Sequence, residues 1–170
     1  MSGISAKAKA LAIVPKFTGL LSFTGSLFVI YDILRCGNNT VAKGNTLKRN
    51  SIFHRIMLGL STFDCIASFV NILSTWPTPS DQSSFIFLAS GTTETCTAQG
   101  FFNEFGNITT PLYSAALCVW YLLILKYGWS EEDCRKFEPY FHAIPVSVGL
   151  SMAVAGLPLK LFNNSGFLCW

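Results

Sequence analysis

The stretch IFHRIMLGLSTFDCIASFVNILSTW, at residues 52–76, is mostly apolar. A helix needs about 20 mostly apolar residues to cross the hydrocarbon core of a bilayer, and this stretch is long enough. Three further stretches of the same character lie at residues 11–34, 97–125 and 139–159. The sequence therefore predicts an all-α fold: an integral membrane helical bundle with four transmembrane helices, in a single domain over residues 1–170.

The composition indicates lipid, rather than water, as the solvent around most side chains. Hydrophobic residues make up 51% of the chain and charged residues only 12%, with a mean hydropathy of +0.44. A soluble globular domain carries about 25% charged residues. The net charge is +3 and no basic run exceeds the pair Lys48-Arg49. The sequence therefore predicts the lipid bilayer as a partner and no nucleic acid.

Basic residues around the connections set the predicted orientation, because lysine and arginine resist transfer across the membrane. They cluster at the first and third connections, whereas the second connection has none. They are Arg35, Lys43, Lys48, Arg49, Arg55, Lys126, Arg135 and Lys136. This pattern predicts that the N-terminus lies outside, although Lys7, Lys9 and Lys16 weakly oppose it. A signal anchor is the alternative for the first stretch.

The predicted orientation sorts the six cysteines. Four of them face the cytosol or lie within spans: Cys36, Cys65, Cys118 and Cys134. Cys96 and Cys169 lie outside, each just beyond a helix end, in an environment where disulfides persist. We predict that these two form a disulfide bond; two unpaired surface thiols are the alternative.

Polar side chains inside the predicted spans are the candidate ligand-binding residues. A charged group costs about 2.5–3.5 kcal/mol at the centre of a membrane helix on insertion scales, so such residues usually face the bundle interior. The candidates are Asp64, Asn103, Glu104 and Asn107. They would line a water-filled cavity that opens outward. The alternative is hydrogen bonding between helices. We favour it for Asn103, for Asn107 and for Asn71, which lies two turns after Asp64.

Small residues predict where the helices approach closely. Gly19 and Gly25 on the first helix, and Gly149 and Gly156 on the fourth, allow neighbouring backbones to come together. In the second connection, the run Phe85-Ile-Phe-Leu-Ala89 is too short to span a bilayer. We expect this run to lie at the membrane interface or to pack over the helix ends.

The sequence contains no constellation typical of a soluble enzyme. It has no Gly-rich phosphate loop, no His-Glu-x-x-His motif, no Cys-x-x-Cys pair and no nucleophile elbow. The two histidines, His54 and His142, do not make a metal site. The sequence therefore predicts a protein that is not an enzyme, with no catalytic residues, metal or cofactor.

The placement of two cysteines resembles that in G-protein-coupled receptors. Cys96 begins the third helix and the pair Cys169-Trp170 follows the fourth, as in the secretin-like and cyclic-AMP-receptor-like branches. The segment Leu58-Gly-Leu-Ser-Thr-Phe-Asp64 is similar to the helix-two aspartate motif of rhodopsin-like receptors, where the aspartate implies a sodium-linked polar site. The resemblance covers residues 15–170, as the first four helices of a seven-helix family. The sequence departs from the pattern after helix three, where Leu125-Lys-Tyr127 stands in place of Asp-Arg-Tyr.

The resemblance implies a receptor that binds an extracellular ligand, of a chemistry the sequence leaves open, and signals through a heterotrimeric G protein. In those families the cysteines corresponding to Cys96 and Cys169 form the extracellular disulfide. Arg55, Lys126 and Tyr127 would be the G-protein-facing residues. Because the family has seven helices, we expect this chain to be a truncated or partial receptor that engages a G protein only when completed.

Two other classes of function remain open. A small multi-span transporter or channel subunit would use Asp64 and Glu104 as an ion or proton path. A four-span scaffold similar to the tetraspanins would need cytoplasmic termini and a large outer loop rich in cysteine. The outer connection here holds only Cys96, which disfavours the scaffold.

Overall fold

The computed structural model describes residues 6–42, 51–82, 86–163, 165 and 168–170. The helices of this part of the chain are α1 (Ala6–Ala42), α2 (Ile52–Leu73), α3 (Thr93–Leu125), α4 (Glu131–Arg135) and α5 (Glu138–Gly156). A short 3-10 turn, Ser80–Gln82, lies between α2 and α3. No β-strand occurs among these residues, so the predicted all-α fold is confirmed.

Three of the helices are long and apolar enough to cross a membrane, within the described ranges. They are Lys9–Arg35 in α1, all of α2 and all of α3. The fourth predicted span corresponds to α5, which has 19 residues and includes Glu138 and His142 in its first turns. α5 is not among the three, and its crossing of the membrane stays a prediction. The loop residues Lys43, Lys48 and Arg49, which contribute to the predicted orientation, lie outside the described residues.

The ends of α2 and α3 differ from the predicted limits for local reasons. α2 ends at Leu73, three residues before Trp76, because Ser74 adopts a positive φ of 48°. α3 begins at Thr93, four residues before residue 97, because Thr92 caps it. The Thr95 backbone N–H donates to the Thr92 hydroxyl at 3.3 Å, and the Thr92 N–H donates to the Thr95 hydroxyl at 2.7 Å. This reciprocal pair satisfies two N–H groups that the helix itself leaves open.

The four long helices run antiparallel in the order of the chain. α1 packs on α2, α2 on α3, and α3 on α5, while α1 contacts only α2 among the described helices. At one end, the Lys16 ammonium of α1 donates to the Leu73 carbonyl of α2 at 2.7 Å, and the Thr95 hydroxyl of α3 donates to the Pro77 carbonyl at 2.8 Å. We call this the disulfide end, because Cys96 and Cys169 also lie there.

The opposite end is closed by α4. The buried side chains of Ile52, Ile56, Tyr113, Trp120, Cys134 and Phe141 form one hydrophobic cluster there. A carboxylate oxygen of Glu131 accepts a hydrogen bond from the Ile52 backbone N–H at 3.0 Å. Arg55 pairs with Glu138 at 2.6 Å. These contacts attach α4 and the start of α5 to the start of α2.

Of the four predicted glycines, Gly19 and Gly149 mark close approaches between helices, and Gly156 marks one between α5 and the tail. A Cβ added at Gly149 would lie 2.0 Å from the Thr109 hydroxyl of α3, and one at Gly19 would lie 3.0 Å from backbone atoms of α2. A Cβ added at Gly156 would lie 2.5 Å from the Phe162 ring. The prediction for Gly25 is wrong, since nothing lies within 4 Å of its added Cβ. Gly25 is exposed.

The apolar run in the second connection packs over the helix ends, as predicted. Ile86 and Ala89 are buried, and the Phe87 carbonyl accepts a hydrogen bond from the Thr75 hydroxyl at 2.8 Å. Phe85, the first residue of the run, lies outside the described residues. The connection is therefore a folded cover over the end of α2.

Candidate functional site

A disulfide bond joins Cys96 to Cys169, with their Cα atoms 5.2 Å apart. Both residues are buried. The predicted pairing is therefore confirmed, and the alternative of two free thiols is wrong. The bond holds the tail after α5 against the first turn of α3.

The side chain of Gln99 makes a second attachment of the tail. It is only 4% exposed, and its amide nitrogen donates to the Ser74 carbonyl at the end of α2, at 2.7 Å. Its amide oxygen accepts from the Cys169 backbone N–H at 3.1 Å. The sequence analysis missed this residue. Its spacing is the available signal, because Gln99 lies three residues after Cys96 and so shares its helix face.

Glu104 meets the last residue of the tail. The indole N–H of Trp170 donates to a carboxylate oxygen of Glu104 at 2.6 Å. Beside them, the ring of Phe162 fills a space that two glycines leave: a Cβ added at Gly100 would lie 2.7 Å from Phe162, and one at Gly156 would lie 2.5 Å from it. The tail thus folds back onto α3 and α5.

A cavity of about 500 Å³ lies between α3, α5 and the tail. Its lining residues are Glu104, Met152, Ala155, Gly156, Leu159, Leu161, Phe162 and Trp170. Of the four predicted ligand-binding residues, Glu104 lines this cavity and the other three do not. We call this space the Glu104 cavity.

Asn103 and Asn107 are hydrogen-bonded to each other. The Asn107 amide nitrogen donates to the Asn103 amide oxygen at 2.8 Å along one face of α3. Asn103 is buried and Asn107 is exposed. The pair stays within α3, so this hydrogen bond does not join two helices.

Asp64 lies at the interface of α1 and α2. One of its carboxylate oxygens accepts hydrogen bonds from the hydroxyl groups of Ser22, at 3.0 Å, and Ser26. The partners of Asp64 therefore belong to α1, whereas the partner of Glu104 belongs to the tail. Asp64 and Glu104 thus have separate partners, and no cluster of three acidic, histidine or cysteine side chains occurs among the described residues.

A second cavity, of about 680 Å³, lies between α1, α2 and α3 near the disulfide end. Its lining is apolar apart from Thr95 and Gln99, and includes Phe23, Phe69 and Phe102. Asp64 does not line it. A groove of this composition suits hydrocarbon and gives a polar ligand little to bind.

The predicted G-protein-facing residues lie at the opposite end. Arg55 pairs with Glu138, as described above. Lys126 follows the last residue of α3, and its ammonium lies 5.8 Å from the centre of the Tyr127 ring. Tyr127 is 60% exposed. These three residues are therefore at one end of the bundle, and the Tyr127 side chain is exposed at its surface.

Two groups of α4 have shifted pKa values. Hydrogen bonds from the hydroxyl and backbone N–H of Ser130 hold the pKa of Asp133 below its ordinary value. Burial, followed by the nearby charges of Asp133 and Glu131, raises the pKa of the Cys134 thiol. A free cysteine at the opposite end is thus kept neutral and protected.

Comparison of the chain with models of protein families, with characterised proteins and with solved structures gives no match.

Proposed function

We propose that this chain is a G-protein-coupled receptor-like membrane protein, which binds an extracellular ligand at the disulfide end and signals across the membrane. The joint placement of Cys169 and Trp170 carries the proposal. Cys169 is bonded to Cys96 at the start of α3, and Trp170 donates to Glu104 two turns further along the same helix. A tail fixed at both points forms one wall of a cavity that contains a carboxylate.

The arrangement of the helices supports the same function. α3 lies between α2 and α5, and three helices are long and apolar enough to cross a membrane. In the proposed topology α5 is the fourth span and the N-terminus is outside at the plasma membrane. This orientation exposes the Cys96–Cys169 bond to an oxidising environment, in which a disulfide persists.

The opposite end would then be the cytoplasmic surface for a heterotrimeric G protein. Tyr127 is exposed, and Lys126 offers a positive charge beside it. Arg55 is engaged by Glu138. A partner that binds Arg55 therefore has to compete with the Glu138 carboxylate.

The test reconstitutes the complete product of the gene in liposomes with purified heterotrimeric G proteins and measures guanine-nucleotide exchange. We expect faster exchange than in empty liposomes. A double variant, Lys126→Ala with Tyr127→Ala, should return the rate to that of empty liposomes. Lys160→Ala, which changes a lysine at the disulfide end, is the matched control. The proposal is contradicted if none of the G proteins tested exchanges nucleotide faster than in empty liposomes. It is also contradicted if faster exchange persists in the double variant.

The second candidate function is a small transporter or channel subunit. The cluster of Asp64 with Ser22 and Ser26 supports it, because it places oxygen atoms at the middle of two apolar helices. In the same liposomes, proton or sodium flux that disappears in Asp64→Asn would favour this function. Asp81→Asn, at an exposed acid between α2 and α3, is the control.

A further inference from the structure

The Glu104 cavity combines one carboxylate with walls that carry no charge. Its volume of about 500 Å³ falls within the range of small-molecule sites. Seven of its eight lining residues are aliphatic, aromatic or glycine. A polar ligand would therefore meet only one ionisable side chain, that of Glu104.

The Glu104 carboxylate lacks a cationic partner within the described part of the chain. The indole N–H of Trp170 occupies one of its oxygens, at 2.6 Å. No ion pair joins it to a lysine or arginine among the described residues. Glu104 is only partly buried, so a ligand can reach its carboxylate. The second oxygen is therefore suited to a cation from outside the chain.

The rim of the cavity gives access to the carboxylate and adds an aromatic face. Leu159, Leu161 and Trp170 are each more than half exposed. Tryptophan is the strongest of the aromatic side chains in attracting a cation to its ring face. A ligand approaching over this rim meets the apolar side chains, the indole ring and the carboxylate of one site.

We propose that the Glu104 cavity binds a small organic cation, an alkyl- or arylammonium. Its nitrogen lies beside the Glu104 carboxylate and the Trp170 ring, and its apolar body lies between α5 and the tail. This inference deepens the proposed function and rests on it, since it assigns the chemical class of the ligand to the same site. The ammonium can belong to a soluble amine or to the choline headgroup of a lipid.

The test measures binding of phenyltrimethylammonium, a permanent cation with an apolar body, to the full chain in maltoside micelles. Benzenesulfonate, of similar size and opposite charge, is the comparison ligand. We expect saturable binding of the cation and none of the anion. Glu104→Gln, which keeps the shape of the side chain, should raise the Kd at least about tenfold, because the charge–charge attraction is lost.

Glu94→Gln is the matched control, since Glu94 is in the first turn of the same helix and does not line the cavity. It should leave the Kd unchanged. Equal weakening by Glu94→Gln and Glu104→Gln would indicate general attraction to surface charge and would overturn the proposal. Binding of both ions with similar Kd would do the same.

Met152→Trp keeps the test decisive if Glu104→Gln does not fold. Met152 is on α5, is half exposed and lines the cavity, so a larger side chain there reduces the space for the ligand while Glu104 itself is unchanged. We expect it to abolish binding of phenyltrimethylammonium, and full binding in this variant overturns the proposal. Formation of the Cys96–Cys169 bond reports that each variant is folded.

Adding phosphatidylcholine to the micelles distinguishes the two sources of the ammonium. A choline headgroup in the cavity should compete with phenyltrimethylammonium, whereas a site for soluble amines should keep its Kd. Binding of the cation without any nucleotide exchange would leave the ligand class standing and remove the receptor function. Nucleotide exchange driven by an uncharged ligand would support the receptor function and contradict the proposed class of ligand.

Discussion

A single amide side chain, Gln99, connects three parts of the disulfide end. It lies in α3, donates to the carbonyl of Ser74 after α2, and accepts from the backbone N–H of Cys169 in the tail. Buried backbone groups that lose a partner are costly, because water does not replace it. Gln99 therefore positions the tail, and through it Trp170, independently of the disulfide.

Replacement of Gln99 by leucine should destabilise the disulfide end. We expect the free energy of unfolding to fall by about 2 kcal/mol or more, since the buried Cys169 N–H loses its acceptor. Thermal unfolding of the purified chain in detergent measures the effect. Thr97→Val is the control, because the Thr97 hydroxyl bonds only within α3, at 2.9 Å to the Thr93 carbonyl. Equal stability of the two variants would contradict the role given to Gln99.

The Cys134 thiol gives a pH-dependent prediction. Burial raises its pKa, with Asp133 and Glu131 adding to the effect. The folded protein therefore holds the thiol proton to higher pH than the unfolded chain does. The stability that this provides is full below the ordinary thiol pKa and is lost as the pH rises through the raised one.

Iodoacetamide labelling checks this in a variant with Cys36, Cys65 and Cys118 changed to alanine. Because the thiolate is the reactive form, labelling of folded Cys134 should be slower than in denaturant at the same pH, and should reach half its maximal rate at a higher pH. Equal rates in both states would show that the thiol is not protected.

At the scale of helices, α3 and α5 are in close contact at Gly149. A Cβ added there would lie 2.0 Å from the Thr109 hydroxyl, which is buried and has no hydrogen-bond partner among the described residues. Gly149→Ala should lower the free energy of unfolding by about 1–3 kcal/mol, because the helices have to separate. Thr109→Ala removes the hydroxyl, and the double variant should recover most of the loss.

Gly25→Ala is the control for this helix contact. Nothing lies within 4 Å of its added Cβ, so alanine should be neutral or stabilise by up to about 1 kcal/mol through its higher helix propensity. The measurement compares the thermal unfolding midpoints of the wild type, the two single variants, the double variant and Gly25→Ala. A double variant as unstable as Gly149→Ala would show that the Thr109 contact is not the cause.

The four long helices were predictable from the sequence, because a long apolar stretch needs no partner to reveal it, whereas the short α4 was not. Their exact ends were not, since the α3 start depends on the reciprocal bonds of Thr92 and Thr95. Gly25 was misassigned for a similar reason: small residues on a helix indicate a possible contact, but the rotation of α1 against α2 decides which glycine makes it.

At the scale of the whole molecule, the bond between Cys96 and Cys169 closes a loop across 73 residues. A loop of this length constrains the unfolded chain by about 4 kcal/mol in the chain-entropy model. Reductant should therefore lower the thermal midpoint and increase quenching of Trp170 fluorescence by acrylamide. The variant with both cysteines changed to serine should be less stable and insensitive to reductant; a wild-type midpoint unchanged by reductant would contradict the prediction.

The disulfide could be predicted because orientation and redox environment reduce six cysteines to two candidates. The contact of Trp170 with Glu104 could not, since it depends on the path by which the tail returns over α5. The same holds for Asp64, whose pairing with Ser22 and Ser26 requires the register of α1 against α2. Sequence patterns identified the polar residues, and packing decided which of them meet.

The distance along the chain between the two bridged cysteines also matters during synthesis. Cys96 emerges from the ribosome long before Cys169, and both α3 and α5 are made in between. In a chain inserted as proposed, an oxidase in the secretory lumen finds both thiols only after α5 has been threaded in the correct direction. The disulfide then forms only in chains that have inserted correctly. A chain with α5 reversed would carry a free Cys96 thiol, which quality control can detect.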